Sequence, residues 1–199
     1  MNLRHVVILL VVAALFGAGR WSLHRPIGHA AGVLVESDPQ QSEPASHAPI
    51  THGEYVLTPL ADYAIEARVI SREDYSLDAG SDLAPTDLAV GWRRMSDTAV
   101  IDQLDIEQSA RFFTYRWPDA PPIPLVEIER SSANMHMIPS DENVARDLGK
   151  LREGAIVRMR GQLVAAQRND GFHWRSSLTR NDTGGGACEL FLVTSIEQL

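Results

Sequence analysis

The chain has 199 residues, 44% apolar and 22% charged, and its 18 basic against 26 acidic residues give a net charge of -8. These values fit one folded domain with an extension, and they exclude a collagen-like, wholly disordered or multi-span membrane protein. They also argue against a nucleic-acid partner, because neutralising phosphates takes a basic surface and the chain from Thr51 onward carries 15 basic against 23 acidic residues.

After Arg4 and His5, the run Val6 to Gly19 has no polar side chain, and Arg20 closes it. Its 14 residues reach ~21 Å as a helix, the length of a signal-peptide core rather than of the ~30 Å hydrocarbon layer. Counting from Leu3 to Leu23, with Arg4 and Arg20 snorkelling and Trp21 at an interface, allows one tilted span. Gly17 and Gly19 permit cleavage before Arg20, but no Ala-x-Ala pair stands there. Residues 1–24 are therefore expected to be a signal anchor or transmembrane helix. The chain is then a single-pass protein of a bacterial inner membrane with its globular domain in the periplasm; the alternative is secretion to the periplasm after cleavage.

Residues 25–53 contain Pro26, Pro39, Pro44 and Pro49 among Gly, Ala, Ser and Gln, with few residues able to enter a core. That composition predicts a flexible tether. His24, His29, His47 and His52 are too widely spaced for a metal site and are expected in solvent.

Residues 54–199 read as the extracytoplasmic globular domain. Tyr63 to Ser71 alternates apolar and polar residues as a half-buried strand does. Asp82 to Val90, with Pro85 near its start and Gly91 after it, predicts a short helix, and Ser96 caps a second one from Asp97 to about Leu104. Arg111 to Trp117 is aromatic and β-prone, Pro118 to Pro124 is extended, and Leu125 to Ile128 is a short strand. Ser140 caps a helix with Val144, Leu148 and Leu151 on one face and Gly154 at its stop. Ala155 to Ala166 and Phe172 to Leu178 form a hairpin about Asn169-Asp170-Gly171, and Ala187 to Thr194 is the last strand. The fold class is α+β: a small, mostly antiparallel curved sheet or OB-like barrel with two or three short helices, preceded by the hydrophobic N-terminal helix.

Leu151 to Val164 (LREGAIVRMRGQLV) resembles the strand that opens many OB-type barrels, in which a second Gly lets the strand bend. The order of N-terminal anchor, SREDY, SANMHMIP and SSLTRNDTGGGACE resembles an uncharacterised group of exported, membrane-anchored bacterial proteins. Neither resemblance implies an activity.

Cys188 is the single cysteine, so it cannot form an intramolecular disulfide, and its apolar strand context reads as a buried small hydrophobe. The chemical alternative joins Cys188 to His136 as general base and Arg180 as oxyanion-side cation, since a thiolate is favoured by a neighbouring imidazolium or guanidinium. Trp174 to Glu189 concentrates Ser176, Ser177, Arg180, Asp182, Gly184 and Gly185, a set able to bind an anionic ligand through backbone N–H groups and a two-pronged arginine. Asp182-Thr183-Gly184 spells the aspartic-protease triplet without the apolar strand that family needs, and no phosphate loop or nucleotide motif is present. Met135, His136 and Met137 supply soft ligands suited to copper(I).

The sequence thus reads first as a membrane-tethered extracytoplasmic binding or accessory domain, without evident catalysis or cofactor, with a protein partner in the envelope. Its alternatives are a small Cys- or Ser-dependent hydrolase or transferase using Cys188, or Ser176 or Ser177, with His136, and copper binding through Met135, His136 and Met137.

Overall fold

A computed structural model describes His5, residues 25–179, Gly184 and residues 186–199. The expected anchor over residues 1–24 lies outside these, His5 apart, and among the described residues no helix is long and apolar enough to cross a membrane.

The chain folds as mixed α+β around an eight-stranded sheet with three short α-helices. In chain order these are β1 (Gln40–Ser42), β2 (Ile50–His52), β3 (Tyr55–Asp74), β4 (Thr86–Gly91), α1 (Thr98–Ile101), β5 (Asp105–Ser109), β6 (Phe112–Arg116), α2 (Leu125–Arg130), β7 (Ser132–Pro139), α3 (Glu142–Leu148), β8 (Ile156–Arg168), β9 (His173–Arg175) and β10 (Glu189–Gln198). β5 and β6 pair only with each other, as a separate hairpin. In the large sheet β3 pairs with both β4 and β8, so the pairings run β3, β4, β7, β10, β8 and return to β3. All are antiparallel except β7 with β10.

The alternation that predicted a strand at Tyr63 begins earlier, and β3 runs for 20 residues with Tyr63, Ile65, Ala67 and Val69 turned inward. Two register shifts, at Pro59/Ala61 against β8 and Val69/Ser71 against β4, let one long strand bend from one neighbour to the other. Leu88 and Val90, Met135 and Met137, Met159 and Leu163, and Phe191 and Val193 extend the same core across the other four strands, and Val144 and Leu148 of α3 pack against it. A Cβ at Gly161 in β8 would lie 1.9 Å from the Leu192 carbonyl oxygen, so only glycine permits that approach.

Residues 25–53, read above as a tether, lie against the body instead. The Ile27 N–H donates to the Glu153 carbonyl, the Leu34 and Val35 N–H groups donate to the Ser96 hydroxyl, Val35 is buried, and β1 and β2 both pair with β3. Main-chain hydrogen bonding to a strand edge needs few apolar side chains, which is why composition misses it. Three further assignments change. Asp82 to Val90 contains the wholly buried strand β4 rather than a helix, because β3 and β7 flank it on both sides. Leu125 to Ile128 opens α2 rather than a strand, with Pro124 at its N-cap. α3 is capped by Asp141, not Ser140, through its carboxylate and the N–H groups of Asn143 and Val144.

Gly161→Ala is expected to cost at least about 2 kcal/mol in urea denaturation, as overpacking against backbone does. Gly28→Ala, at a site with no neighbour within 4 Å, is expected to stay within about 0.5 kcal/mol. Equal stabilities would contradict the close approach of β8 and β10.

Candidate functional site

Two neighbouring strands, β4 and β7, and the residue leading into a third, β10, each carry one reactive group on the face opposite the main core. The antiparallel register of β4 and β7 sets Asp87 directly across from His136. The parallel register of β7 and β10 sets Met135 beside Glu189, which brings the preceding residue, Cys188, next to Asn134 and within reach of His136. Because side chains alternate along a strand, Asp87, His136 and Cys188 share one side while Leu88, Met135 and Met137 take the other.

His136 is 3% exposed and Asp87 is fully buried. Imidazole Nδ1 lies 2.9 Å from Asp87 Oδ1. The N–H does not point along that line, so the contact is an ion pair rather than an aligned hydrogen bond. The Trp174 ring packs on the imidazole with centroids 4.4 Å apart. Burial pushes the imidazole pKa down, but the close contacts and negative charge of Asp87 and Cys188 outweigh it, and the net shift is upward from the usual 6.5.

Arg111 compensates the same carboxylate. Its Nη1 donates to Asp87 Oδ1 at 2.7 Å, while Nε and Nη2 both donate to Asp78 at 2.9 Å. The guanidinium also stacks 3.8 Å from the Tyr75 ring centroid. Arg111 stands in the two-residue turn of the β5–β6 hairpin, where Ala110 and Arg111 have φ of 48° and 70°. Both are in the left-handed region that hairpin turns usually fill with Asn-Gly, at a cost of roughly 1–2 kcal/mol per residue. The side-chain contacts, the Arg111 N–H donated to the Tyr75 hydroxyl and the Arg111 carbonyl accepting from Asn134 Nδ2 hold the turn in that shape.

Asn134 joins this turn to the thiol. Its Oδ1 accepts from Gln108 Nε2 at 2.7 Å, which fixes Nδ2 toward the Arg111 carbonyl at 3.0 Å and the Cys188 sulfur at 3.6 Å. Cys188 is half-buried and forms part of the wall of a cleft of about 370 Å³ with Phe112, Phe113, Tyr115, Glu129 and Asn134.

Of the residues singled out from sequence, the fold brings His136 and Cys188 together. Arg180, Asp182 and Gly185 lie outside the described residues, and Gly184 borders the cleft. Ser176 and Ser177 are buried and engaged with backbone: the Leu190 N–H donates to the Ser176 hydroxyl, and the Ser177 N–H donates to the Cys188 carbonyl. They position the start of β10 rather than line the cleft. Met135 and Met137 are wholly buried in the main core on the side of β7 away from His136, so the three expected copper ligands do not converge. Among the described residues no group of three or more His, Cys, Asp or Glu side chains is arranged to hold a metal ion.

Asp87 and Arg111 were absent from the sequence reading. A carboxylate inside the apolar run of Thr86 to Gly91 is the available signal for the first; the second has little to mark it, since neither Ala110 nor Arg111, the two turn positions, is a usual turn residue. No protein-family model, curated protein or solved structure matches the chain.

A group that holds its proton more tightly when folded stabilises the protein while protonated. The His136 contribution is therefore complete below 6.5 and is lost as pH rises through the raised folded value. The urea midpoint is expected to fall from about pH 6 toward alkaline pH, with the fall flattened in His136→Gln. Identical pH slopes in the two proteins would contradict the pairing.

Proposed function

We propose that this protein is a cysteine-dependent hydrolase or transferase acting on acyl groups, built on an OB-like barrel and tethered to the outer face of a bacterial inner membrane by its apolar N-terminal run. The contact of Cys188 with a buried, Asp87-paired His136 at the wall of a cleft carries the catalytic reading. The barrel is supported by the closed cycle of pairings, the parallel β7–β10 pair and the placement of α3 between β7 and β8. The tether rests on Val6 to Gly19.

Each residue has a role that follows from its contacts. With Nδ1 turned to Asp87, Nε2 is the ring nitrogen left to take the thiol proton, giving a thiolate and an imidazolium whose charge Asp87 offsets. The sulfur attacks an acyl carbonyl, the electron pair moves to oxygen, and Asn134 Nδ2, held by Gln108 beside the sulfur, donates to that oxyanion. Collapse expels the leaving group with the proton from His136 and leaves a thioester. Water or an acceptor nucleophile, deprotonated by His136, then releases the acyl group and restores the thiol. Arg111 is a positioning residue that holds Asp87 in place.

The second reading, a non-catalytic binding domain for a partner in the envelope, draws on the aromatic cleft alone. Turnover of an aryl ester or thioester that is abolished in folded Cys188→Ala would rule it out.

Alkylation by iodoacetamide tests the thiolate directly. At pH 7 native Cys188 is expected to be alkylated at least about tenfold faster than Cys188 in His136→Gln, checked for native circular dichroism. Protection until denaturation, or equal rates in the two proteins, would overturn the proposal.

A further inference from the structure

The cleft beside Cys188 combines aromatic faces with negative charge. Phe112, Phe113 and Tyr115 of β6 form one wall, and Glu129 of α2 is the single charged side chain among its described lining residues, the thiol aside. Glu129 stands close enough to Tyr115 that its charge, added to burial, raises the phenol pKa. Behind the sulfur, Asp78 and Asp87 share the one guanidinium of Arg111, and His136 faces both Asp87 and Cys188. With thiolate and imidazolium formed, this group retains one negative charge, to which Glu129 adds a second. Arg116 on the hairpin is turned to Glu107 and Asp105, and Arg94 lies against Glu127. Aromatic faces and a carboxylate both attract cations, and an anion entering here would meet no compensating charge among the described lining residues.

We infer that the Cys188 cleft selects substrates carrying an ammonium or guanidinium group on an apolar body, with Glu129 and the β6 aromatic wall as the specificity determinants. This deepens the reading of Cys188 as a nucleophile and rests on it. Expected substrates are acyl compounds, such as esters, thioesters or amides, whose cationic group lies near the reacting carbonyl; those bearing a carboxylate or phosphate there are disfavoured.

Three methanethiosulfonates separate the two levels of the argument: a small neutral methyl reagent, and two charged reagents of similar size to each other, a cationic trimethylammonioethyl and an anionic sulfonatoethyl. In each, the thiolate attacks the sulfenyl sulfur, a disulfide forms, and methanesulfinate leaves with the electron pair of the broken S–S bond. Rates on the native chain at low salt are divided by those of each reagent with free 2-mercaptoethanol, which removes their intrinsic difference. The normalised cation-to-anion ratio is expected to be at least about fivefold and to shrink as salt screens the charges. Glu129→Gln is expected to lower that ratio by about threefold or more. A ratio near one with rapid neutral labelling would overturn the cation preference and leave the nucleophile standing. Failure of the neutral reagent to label native Cys188 would overturn the nucleophile, and the substrate class with it. A ratio unchanged in Glu129→Gln would remove Glu129 as a determinant.

Discussion

A carboxylate with no exposed surface has lost its water and must be met by partners inside the protein, and Asp87 has two, from different parts of the chain. Arg111 arrives from the β5–β6 hairpin and His136 from the neighbouring strand β7. Removing either leaves a buried charge partly uncompensated, which costs on the order of 3–5 kcal/mol where it has been measured in proteins. That cost makes the hairpin turn, the β4–β7 register and the imidazole's orientation mutually dependent.

The same constraint explains why a left-handed turn is built from Ala110 and Arg111 rather than from Asn-Gly. The turn must present an arginine inward and a carbonyl toward Asn134, so local propensity yields to the site. The thiol is consequently surrounded by groups that are already oriented: an imidazole fixed by Asp87 and Trp174, and an amide fixed by Gln108.

What could be read from sequence divides along physical lines. Strands with strict alternation, such as β3 and β8, and the helix α3 were legible because their period is local. β4 was not, since a strand buried on both faces loses alternation and its Pro85 resembles a helix start. The packing of residues 25–53 was hidden because it depends on backbone bonds to a strand edge. At the site, His136 and Cys188 could be proposed by residue type, but their meeting depends on the parallel register of β7 with β10, which no short stretch specifies. The same alternation that puts His136 on the site face places Met135 and Met137 behind it, which dissolves the apparent copper motif.

The central claim is that Asp87 stabilises the protonated ring of His136 and so holds its pKa above the usual value. Long-range proton–nitrogen correlation spectra of the imidazole, recorded on the native chain and on Asp87→Asn across a pH series, test it most directly. The account requires the ring to titrate at a higher pH in the native chain than in the variant. A His136 ring titrating identically in both proteins would contradict it.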